Sequence, residues 1–509
     1  MRAALRSLGR GWPGRRALGL AALTGVLAAA GQAPLGWWWL ALPAYAALVW
    51  QVARAGQGAG QRAGQGAGWI AWAAGAGHFA AALNWIVEPF LIDPLRHGWL
   101  IPFAVLGLSG GLALFWGAAG WVAGRLRLGA AGFAVALTLA EMARGVVLTG
   151  FPWALPGHIW IGWAPAQLAA LAGQNGLTLF TLLAAAGLAS LRPLPFVAAL
   201  ALVGAAFGYG AWRLDQPDPA PRDVTLRLIQ PNAEQHLKWD PERARLYFDR
   251  QLALTAEGPR VDLTVWPETA VPYILEDYPQ VADMIAQAGR GSPVALGVQR
   301  VEDAPDGSWR IWNSLVVLGP QAERLAVYDK FHLVPFGEYI PFGDLAYDLF
   351  SLRAFAAQVG GGYSAGRAPA ILDLGPDLGR VQPLICYEAV FPAILRATGE
   401  RADWILQITN DAWFGVLTGP FQHFALARLR AVEQGLPLVR VANTGVTAVI
   451  DARGRVVEAL PMGVADRLDA ALPASLAPTP YARWGEWPVL LCLAGVAAAT
   501  MLRRRIKVA

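Results

Sequence analysis

Charge is distributed so unevenly along this chain that no single kind of fold can hold all of it. Only 15 of residues 1–212 are Asp, Glu, Lys or Arg, about 7%, whereas residues 213–502 carry 58 such residues, or 20%. Four more cluster in 503–509. A soluble protein carries about 25% charged residues, and this one carries 15% with a mean hydropathy of +0.39. The pattern argues against an ordinary cytosolic enzyme and for a membrane part joined to a globular part. Disorder is excluded, because 23 Trp and 19 Phe supply ample surface to bury.

A helix crossing the hydrocarbon core needs about 17–25 apolar residues. Eight stretches qualify: 17–33, 35–53, 67–87, 99–123, 129–149, 164–190, 194–212 and 486–502. A tight Gln32-Ala33-Pro34 turn separates the first two. With the N-terminus inside, the inner segments hold Arg2, Arg6, Arg10, Arg15, Arg16, Arg54, Arg62, Arg125, Arg127, Arg192, Arg503, Arg504, Arg505 and Lys507. The outer loops before Arg213 hold Arg96 and little else. This asymmetry predicts both termini on the cytoplasmic side, with residues 213–485 on the far side, the periplasm in a bacterium. Residues 1–30 also fit a cleaved signal peptide ending near Ala28-Ala29-Ala30. The glycine-rich stretch 55–68 reads as a flexible cytoplasmic loop.

The net charge of +5 and pI near 9.3 would suit nucleic acid or anionic lipid. The arginines sit in short loops between apolar runs, so no nucleic-acid partner is expected. Cys386 and Cys492 allow at most one disulfide, and Cys492 lies in the last apolar run, which argues against pairing. Only Lys238, Lys330 and Lys507 are lysine among 41 cationic residues.

From 222 to 470 the pattern changes. Short apolar or alternating runs at 224–230, 261–266, 293–299, 313–318, 381–385, 404–409, 438–442 and 447–451 predict strands. Helical patterns at 241–256, 281–288 and 421–434 fall between some of them. Strands interleaved with helices predict an α/β domain of about 250 residues.

Several motifs lead nowhere. Gly107-Leu-Ser109-Gly-Gly111 fits a nucleophile elbow but lies in an apolar run, where small residues serve helix packing. The six histidines lack zinc spacing, and no phosphate-cradling loop follows a strand. A metal or nucleotide enzyme is disfavoured. Glu141 and Arg144, one turn apart in a span, read as a structural pair rather than a transport path.

Three positions carry chemistry if they meet. Glu268 follows the strand 261–266, where a carboxylate can enter a cleft and act as a base, although taken alone a strand-end or helix-capping carboxylate is the preferred reading. Lys330, in Asp329-Lys330-Phe331-His332, keeps a compact ammonium in a chain that otherwise uses arginine. Survival of a few lysines by chance gives the same pattern, and Asp329 and His332 read as structural. Cys386 ends the strand 381–385; alone it is a core residue, and beside a base and a cation it is a nucleophile.

Trp266-Pro267-Glu268, Lys330 through Gly337-Glu338, and Ile385-Cys386-Tyr387-Glu388 resemble the Glu–Lys–Cys signature of the nitrilase superfamily. With seven spans before and one after, the whole chain resembles the bacterial apolipoprotein N-acyltransferase family. Gln230-Pro231-Asn232, Lys238-Trp239-Asp240 and Asn410-Asp411-Ala412-Trp413-Phe414-Gly415 extend the likeness. The resemblance implies an eight-span α-helical bundle carrying an extracytoplasmic αββα nitrilase-like sandwich, divided 1–212, 213–485 and 486–509. It implies transfer of an sn-1 acyl chain from phospholipid to the α-amine of the diacylglyceryl-cysteine of apolipoproteins, in the bacterial inner membrane. Cys386 would carry the thioester, Glu268 would be the base and Lys330 the oxyanion cation. Glu338 and Glu388 would support them, Tyr387 and Trp239 would line the pocket, and Trp413 and Phe414 would face lipid. No cofactor, metal or obligate protein subunit is implied. The segment 345–366 reads as a lid at the bilayer surface or as a connecting loop. A membrane-tethered amidase or lipid hydrolase with water as acceptor is the rival enzyme reading. A transporter or scaffold with a degenerate outer domain is the rival from another class, and the intact Glu–Lys–Cys set argues against it.

Overall fold

The computed structural model describes residues 13–57, 61–190, 192–303, 309–340 and 362–508. The chain forms two compact units. One comprises Met1–Gln216, Leu417–Ala425 and Thr479–Ala509; the other comprises Pro217–Val416 and Leu426–Pro478.

The first unit is helical: α1 (Arg15–Ala29), α2 (Trp38–Ala55), α3 (Gln61–Ala82), α4 (Ile101–Arg125), α5 (Gly129–Arg144), α6 (Ala169–Ala189), α7 (Pro193–Leu214) and a C-terminal helix, Trp487–Val508. Among the described residues three helical stretches can cross a membrane by length and composition: Pro94–Arg125, Ala164–Ala189 and Pro193–Leu214. Arg62–Ala82 with Asn84–Leu91, bent by 48°, makes a fourth. Several expected runs are broken. The run 129–149 stops as a helix at Arg144, and 3-10 turns follow up to Gly150 at φ 82°. The run 164–190 opens as 3-10 turns and kinks at Gly173, whose added Cβ would lie 2.4 Å from the Tyr481 ring.

Small residues hold this unit together. A Cβ on Gly25 would lie 1.9 Å from the Ala74 carbonyl oxygen, and one on Gly77 would lie 2.1 Å from that of Ala22, so α1 and α3 touch backbone to backbone. A Cβ on Gly120 or Gly124 of α4 would lie 2.6 Å from the Ala67 or the Ala63 carbonyl oxygen of α3. The stretch 55–68 is therefore not a flexible loop throughout: from Gln61 it is helix, and Gly64 and Gly68 pack near Trp121. A Cβ on Gly107 or Gly111 would meet nothing within 4 Å, whereas Ser109 is buried and the Gly110 carbonyl accepts from Trp72 Nε1 at 3.0 Å. Glu141 and Arg144 do pair, fully buried. Trp116 donates to the same carboxylate, and Arg144 also donates to the Phe151 and Trp153 carbonyls.

The second unit holds two six-stranded sheets, ordered β12-β1-β2-β3-β4-β5 and β11-β10-β9-β8-β7-β6. The strands of the first are β1 (Thr225–Gln230), β2 (Leu263–Val265), β3 (Val294–Asp303), β4 (Trp309–Leu318), β5 (Arg324–Asp329) and β12 (Asp466–Ala471). Those of the second are β6 (Leu372–Asp373), β7 (Arg380–Ile385), β8 (Trp404–Thr409), β9 (Leu438–Ala442), β10 (Thr447–Ile450) and β11 (Val456–Leu460). In each sheet three neighbouring strands are parallel, β1-β2-β3 and β7-β8-β9. One core joins the sheets face to face, with Leu226, Leu228, Val265 and Val317 from the first and Val381, Ile385, Leu406, Ile408 and Val439 from the second. On the outer side of the first sheet, Phe248 of α8 (Pro241–Ala256) and Val281 and Ile285 of α9 (Pro279–Ala288) bury Trp266, Leu296 and Val316. The outer side of the second is also buried, at Leu384, Ile405 and Leu438. The helix α10 (Gly419–Gln434) precedes β9.

Candidate active site

Parallel strands end at one edge of a sheet, where loops collect side chains. Glu268 follows β2, Cys386 follows β7, Asn410 follows β8 and Asn443 follows β9. Lys330 follows β5, and its N–H donates to the Asn313 carbonyl of β4 at 2.8 Å.

Glu268 is 5% exposed and its carboxylate is held from three sides. Asn313 Nδ2 donates to Oε1 at 2.6 Å, the Asn410 N–H donates to Oε2 at 2.8 Å, and Lys330 Nζ stands 3.5 Å from Oε1. The turn behind it is tight. Thr269 sits at φ 46°, and a Cβ on Gly297 of β3 would lie 2.5 Å from the Pro267 carbonyl oxygen and 2.6 Å from Glu268 Cα. Glycine is required there because the turn lies directly on the strand.

Lys330, 1% exposed, makes its nearer ion pair with Glu338 at 2.9 Å. Asn313 Nδ2 also donates to Glu338 Oε1, at 2.9 Å, and the Val334 N–H donates to Oε2. One amide thus ties the two carboxylates together while Lys330 sits between them. Burial alone would lower the Lys330 pKa, but Glu338, then Glu268, then Cys386 outweigh it and the net direction is up. The ammonium stays charged.

Cys386 is 5% exposed and sits at φ 53°, strained for a residue with a Cβ. Its carbonyl accepts from Gln407 Nε2 at 3.2 Å. Glu388 fastens the bend. It accepts from the Ile385 N–H at 2.7 Å, the Tyr328 hydroxyl at 2.8 Å, and the Phe331 and His332 N–H groups at 2.8 and 3.1 Å. A single carboxylate therefore joins the Cys386 turn to the Lys330 loop. Burial pushes its pKa up, against the pull of those donors.

Burial also pushes the Cys386 thiol up, Glu268 adds to this, and Lys330 and the Thr409 hydroxyl oppose it. The resting residue is a thiol, since a thiolate would add a third negative charge beside Glu268 and Glu338. Moving its proton onto Glu268 leaves the charge of the cluster unchanged. The arrangement suits concerted nucleophilic attack with base assistance. Among the described residues no group of three or more His, Cys, Asp or Glu is placed to hold a metal ion.

A carbon-nitrogen hydrolase family model matches residues 225–481, and a model of the apolipoprotein N-acyltransferase N-terminal domain matches 24–187. The apolipoprotein N-acyltransferase of Caulobacter vibrioides is 39% identical, over 86% of this chain and 87% of its own. That of Rhodopseudomonas palustris is 38% identical, over 97% of this chain and 96% of its own. The chain belongs to the apolipoprotein N-acyltransferase family. Among solved structures, an amidase from Nesterenkonia sp. covers 51% of this chain and 93% of its own at 19% identity, with a TM-score of 0.35.

The remaining expected residues are spread around this centre. Tyr387 is buried, with its ring 5.0 Å from Phe391 and 5.8 Å from His332. Trp239 is half-buried beneath Lys238 Nζ, 5.7 Å from its ring. Phe414 is half-buried and packs against the core between the sheets, and Trp413 is half-buried. Asp329 pairs with Arg300 at 3.1 Å. Of the segment 345–366, residues 345–361 lie outside those described, and so does the lid or connecting loop expected there. Asn313 was missed by sequence reading; its only signal was a polar residue opening an apolar strand. Asn410 lay in a quoted motif, but its backbone contact with Glu268 spans 142 residues and left no local trace.

Proposed function

We propose that this acyltransferase moves an sn-1 acyl chain from a membrane phospholipid to the α-amine of the diacylglyceryl-cysteine of apolipoproteins, completing lipoprotein maturation. The observation that carries the reading is the meeting of Glu268, Lys330 and Cys386 at the strand ends of a carbon-nitrogen hydrolase unit in a chain of this family.

Cys386 Sγ attacks the ester carbonyl as its proton passes to a Glu268 carboxylate oxygen, giving a tetrahedral oxyanion. Lys330 stabilises that oxyanion, a service worth about 3–4 kcal/mol of barrier. The ester C–O bond then breaks, the leaving lysophospholipid oxygen takes the proton from Glu268, and a thioester remains on Cys386. In the second half the lipoprotein amine attacks the thioester carbonyl and gives its proton to Glu268. The C–S bond breaks, and the sulfur recovers the proton as thiol. Thioester to amide is downhill, so the cycle needs no nucleotide. Glu338 and Glu388 hold Lys330 and Cys386 in place, Tyr387 and Trp239 line the pocket, and Trp413 meets lipid.

The eight helices act as membrane spans with both termini in the cytoplasm. Residues 213–485 work on the periplasmic side of the inner membrane, where donor and acceptor are both anchored. Three or four of the helices have the length and composition for this on their own, and the arginine asymmetry supports the orientation.

The test is intact-mass spectrometry of the full chain with phosphatidylethanolamine–phosphatidylglycerol vesicles, beside Cys386→Ala. A hydroxylamine-labile acyl adduct on Cys386, absent from the variant, is expected. Fatty acid release without an adduct would favour the hydrolase, and neither product would overturn covalent catalysis.

A further inference from the structure

Two of the three lysines in the chain have described side chains, and both are buried around one carboxylate. Lys330 accounts for itself through Glu338 and Glu268. Lys238 does not. It is 7% exposed, it makes no ion pair within 4 Å among the described residues, and its Nζ donates to the Thr269 hydroxyl at 2.8 Å and the Glu268 main-chain carbonyl at 3.3 Å.

A buried ammonium is costly without a compensating charge. The nearby charges supply one only in aggregate. Glu338 is matched by Lys330 at 2.9 Å, while Glu268 stands 3.5 Å from Lys330 and shares it. Glu388, also buried, draws on Lys330 as well, and Lys238 is the second ammonium whose charge interacts with Glu268. Its loop also frames the base. Gln235 Oε1 accepts from Asn410 Nδ2 at 2.7 Å, and the Asn410 N–H holds Glu268 Oε2. Asn443 Nδ2 donates to the Ala233 carbonyl and to Asn410 Oδ1. Lys238 meanwhile grips the strained residue that follows the base, Thr269 at φ 46°. Lys238, Trp239, Glu268, Thr269 and Tyr247 line one cleft.

We infer that Lys238 is a positioning residue for Glu268: its buried ammonium fixes the strained Glu268–Thr269 turn and places a second positive charge, after Lys330, beside the base. Burial draws the Lys238 pKa down to about 8, with Glu268 pulling the other way, so the ammonium is the resting form near neutral pH. The groups facing Glu268 are Lys330, Lys238, Cys386 and, through Asn313, Glu338; Tyr363 also feels its charge. Among them only Lys238 touches its main chain from behind.

The inference rests on the proposed acyl transfer, and its test separates the two. Formation of the Cys386 acyl adduct is timed from about pH 5 to about pH 9 in the wild type, Lys238→Met and Lys238→Gln, with phosphatidylethanolamine–phosphatidylglycerol vesicles as donor. Both variants are expected to acylate about 10- to 100-fold more slowly, as removal of a positioning group near a base does. The acid-side fall in rate should also move to higher pH, because a carboxylate that loses a neighbouring cation holds its proton more tightly. Lys238→Gln keeps a hydrogen-bond donor, so it should recover part of the rate but none of the shift. A wild type that forms no adduct overturns the acyl-transfer reading. A wild type that acylates, with variants that keep its pH profile, overturns the role of Lys238. Failure of Lys238→Gln to fold would place the residue in the fold rather than behind the base and would overturn it equally.

Discussion

At Cys386, reactivity and acidity point in opposite directions. Burial and Glu268 keep the thiol protonated, so its nucleophilicity depends on the moment of proton transfer and not on a standing thiolate. In lipid-free enzyme near neutral pH, iodoacetamide should label Cys386 more slowly than an ordinary exposed thiol. Glu268→Gln removes a negative neighbour and leaves Lys330, so the same label should go on faster while acyl transfer falls by at least about 100-fold. Slower labelling of that variant would mean that Glu268 does not oppose the thiolate. His332 tests a second local effect. Burial and then Lys330 draw its pKa down to about 4, while the unfolded chain protonates near its ordinary value of 6.5. The stability it contributes is therefore full above about pH 6.5 and is lost as pH falls toward about 4. In thermal unfolding scans, His332→Asn should flatten that acid decline even if it lowers the midpoint near neutral pH through lost packing on Phe391, 4.0 Å away.

At the scale of elements, the glycine of β3 shows how a strand sets the chemistry of its neighbour. A methyl group at Gly297 would overlap the Pro267 carbonyl and Glu268 Cα, main-chain atoms that cannot rotate away. Gly297→Ala should cost about 1–3 kcal/mol of stability. It should lower the acylation rate by about 100-fold, the usual loss when a reacting group is displaced by about 1 Å. Unfolding midpoints and adduct formation measured on the same sample would separate the two losses, and an unchanged rate would show that the turn adapts. The strands themselves were largely legible. Each of the eight apolar runs carries one, and six of the eight are the buried parallel strands that read as continuous apolar stretches. β5, β6, β11 and β12 left no such signature, and they are the four edges of the two sheets. Edge strands are short, exposed and charged, as in the Asp466-Arg467-Leu468-Asp469 of β12. The site divides in the same way. Glu268, Lys330 and Cys386 are marked by local sequence, whereas Asn313 and the Asn410 N–H reach Glu268 only through strands paired across the fold. Lys238 was visible as a rarity without a reason.

For the whole molecule, the difficulty lies in reading helices as spans. At about 1.5 Å per residue, a 15-residue helix such as α1 covers about 22 Å of a core about 30 Å thick. The shorter helices must lean on headgroups or on neighbours, and the backbone contacts of Gly25 with Ala74 and Gly77 with Ala22 show α1 taking the second course. A bulky residue there should break the packing, so Gly77→Leu should destabilise the protein far more than Gly107→Leu on open surface. Orientation is a separate matter, decided by arginines rather than length. Arg96 is exposed in the connection between α3 and α4, and Arg125 is exposed at the end of α4, one span further along. If α4 crosses, these two positions lie on opposite sides of the membrane, with Arg96 outside. In a Cys492→Ala background, a membrane-impermeant maleimide applied to spheroplasts should label Arg96→Cys and spare Arg125→Cys until the membrane is opened. Labelling of both before opening would mean that α4 does not cross. Labelling of Arg125→Cys alone would invert the molecule and carry the connections on its two faces to the wrong compartments. That outcome would put the acyl transfer proposed for residues 213–485 on the cytoplasmic side.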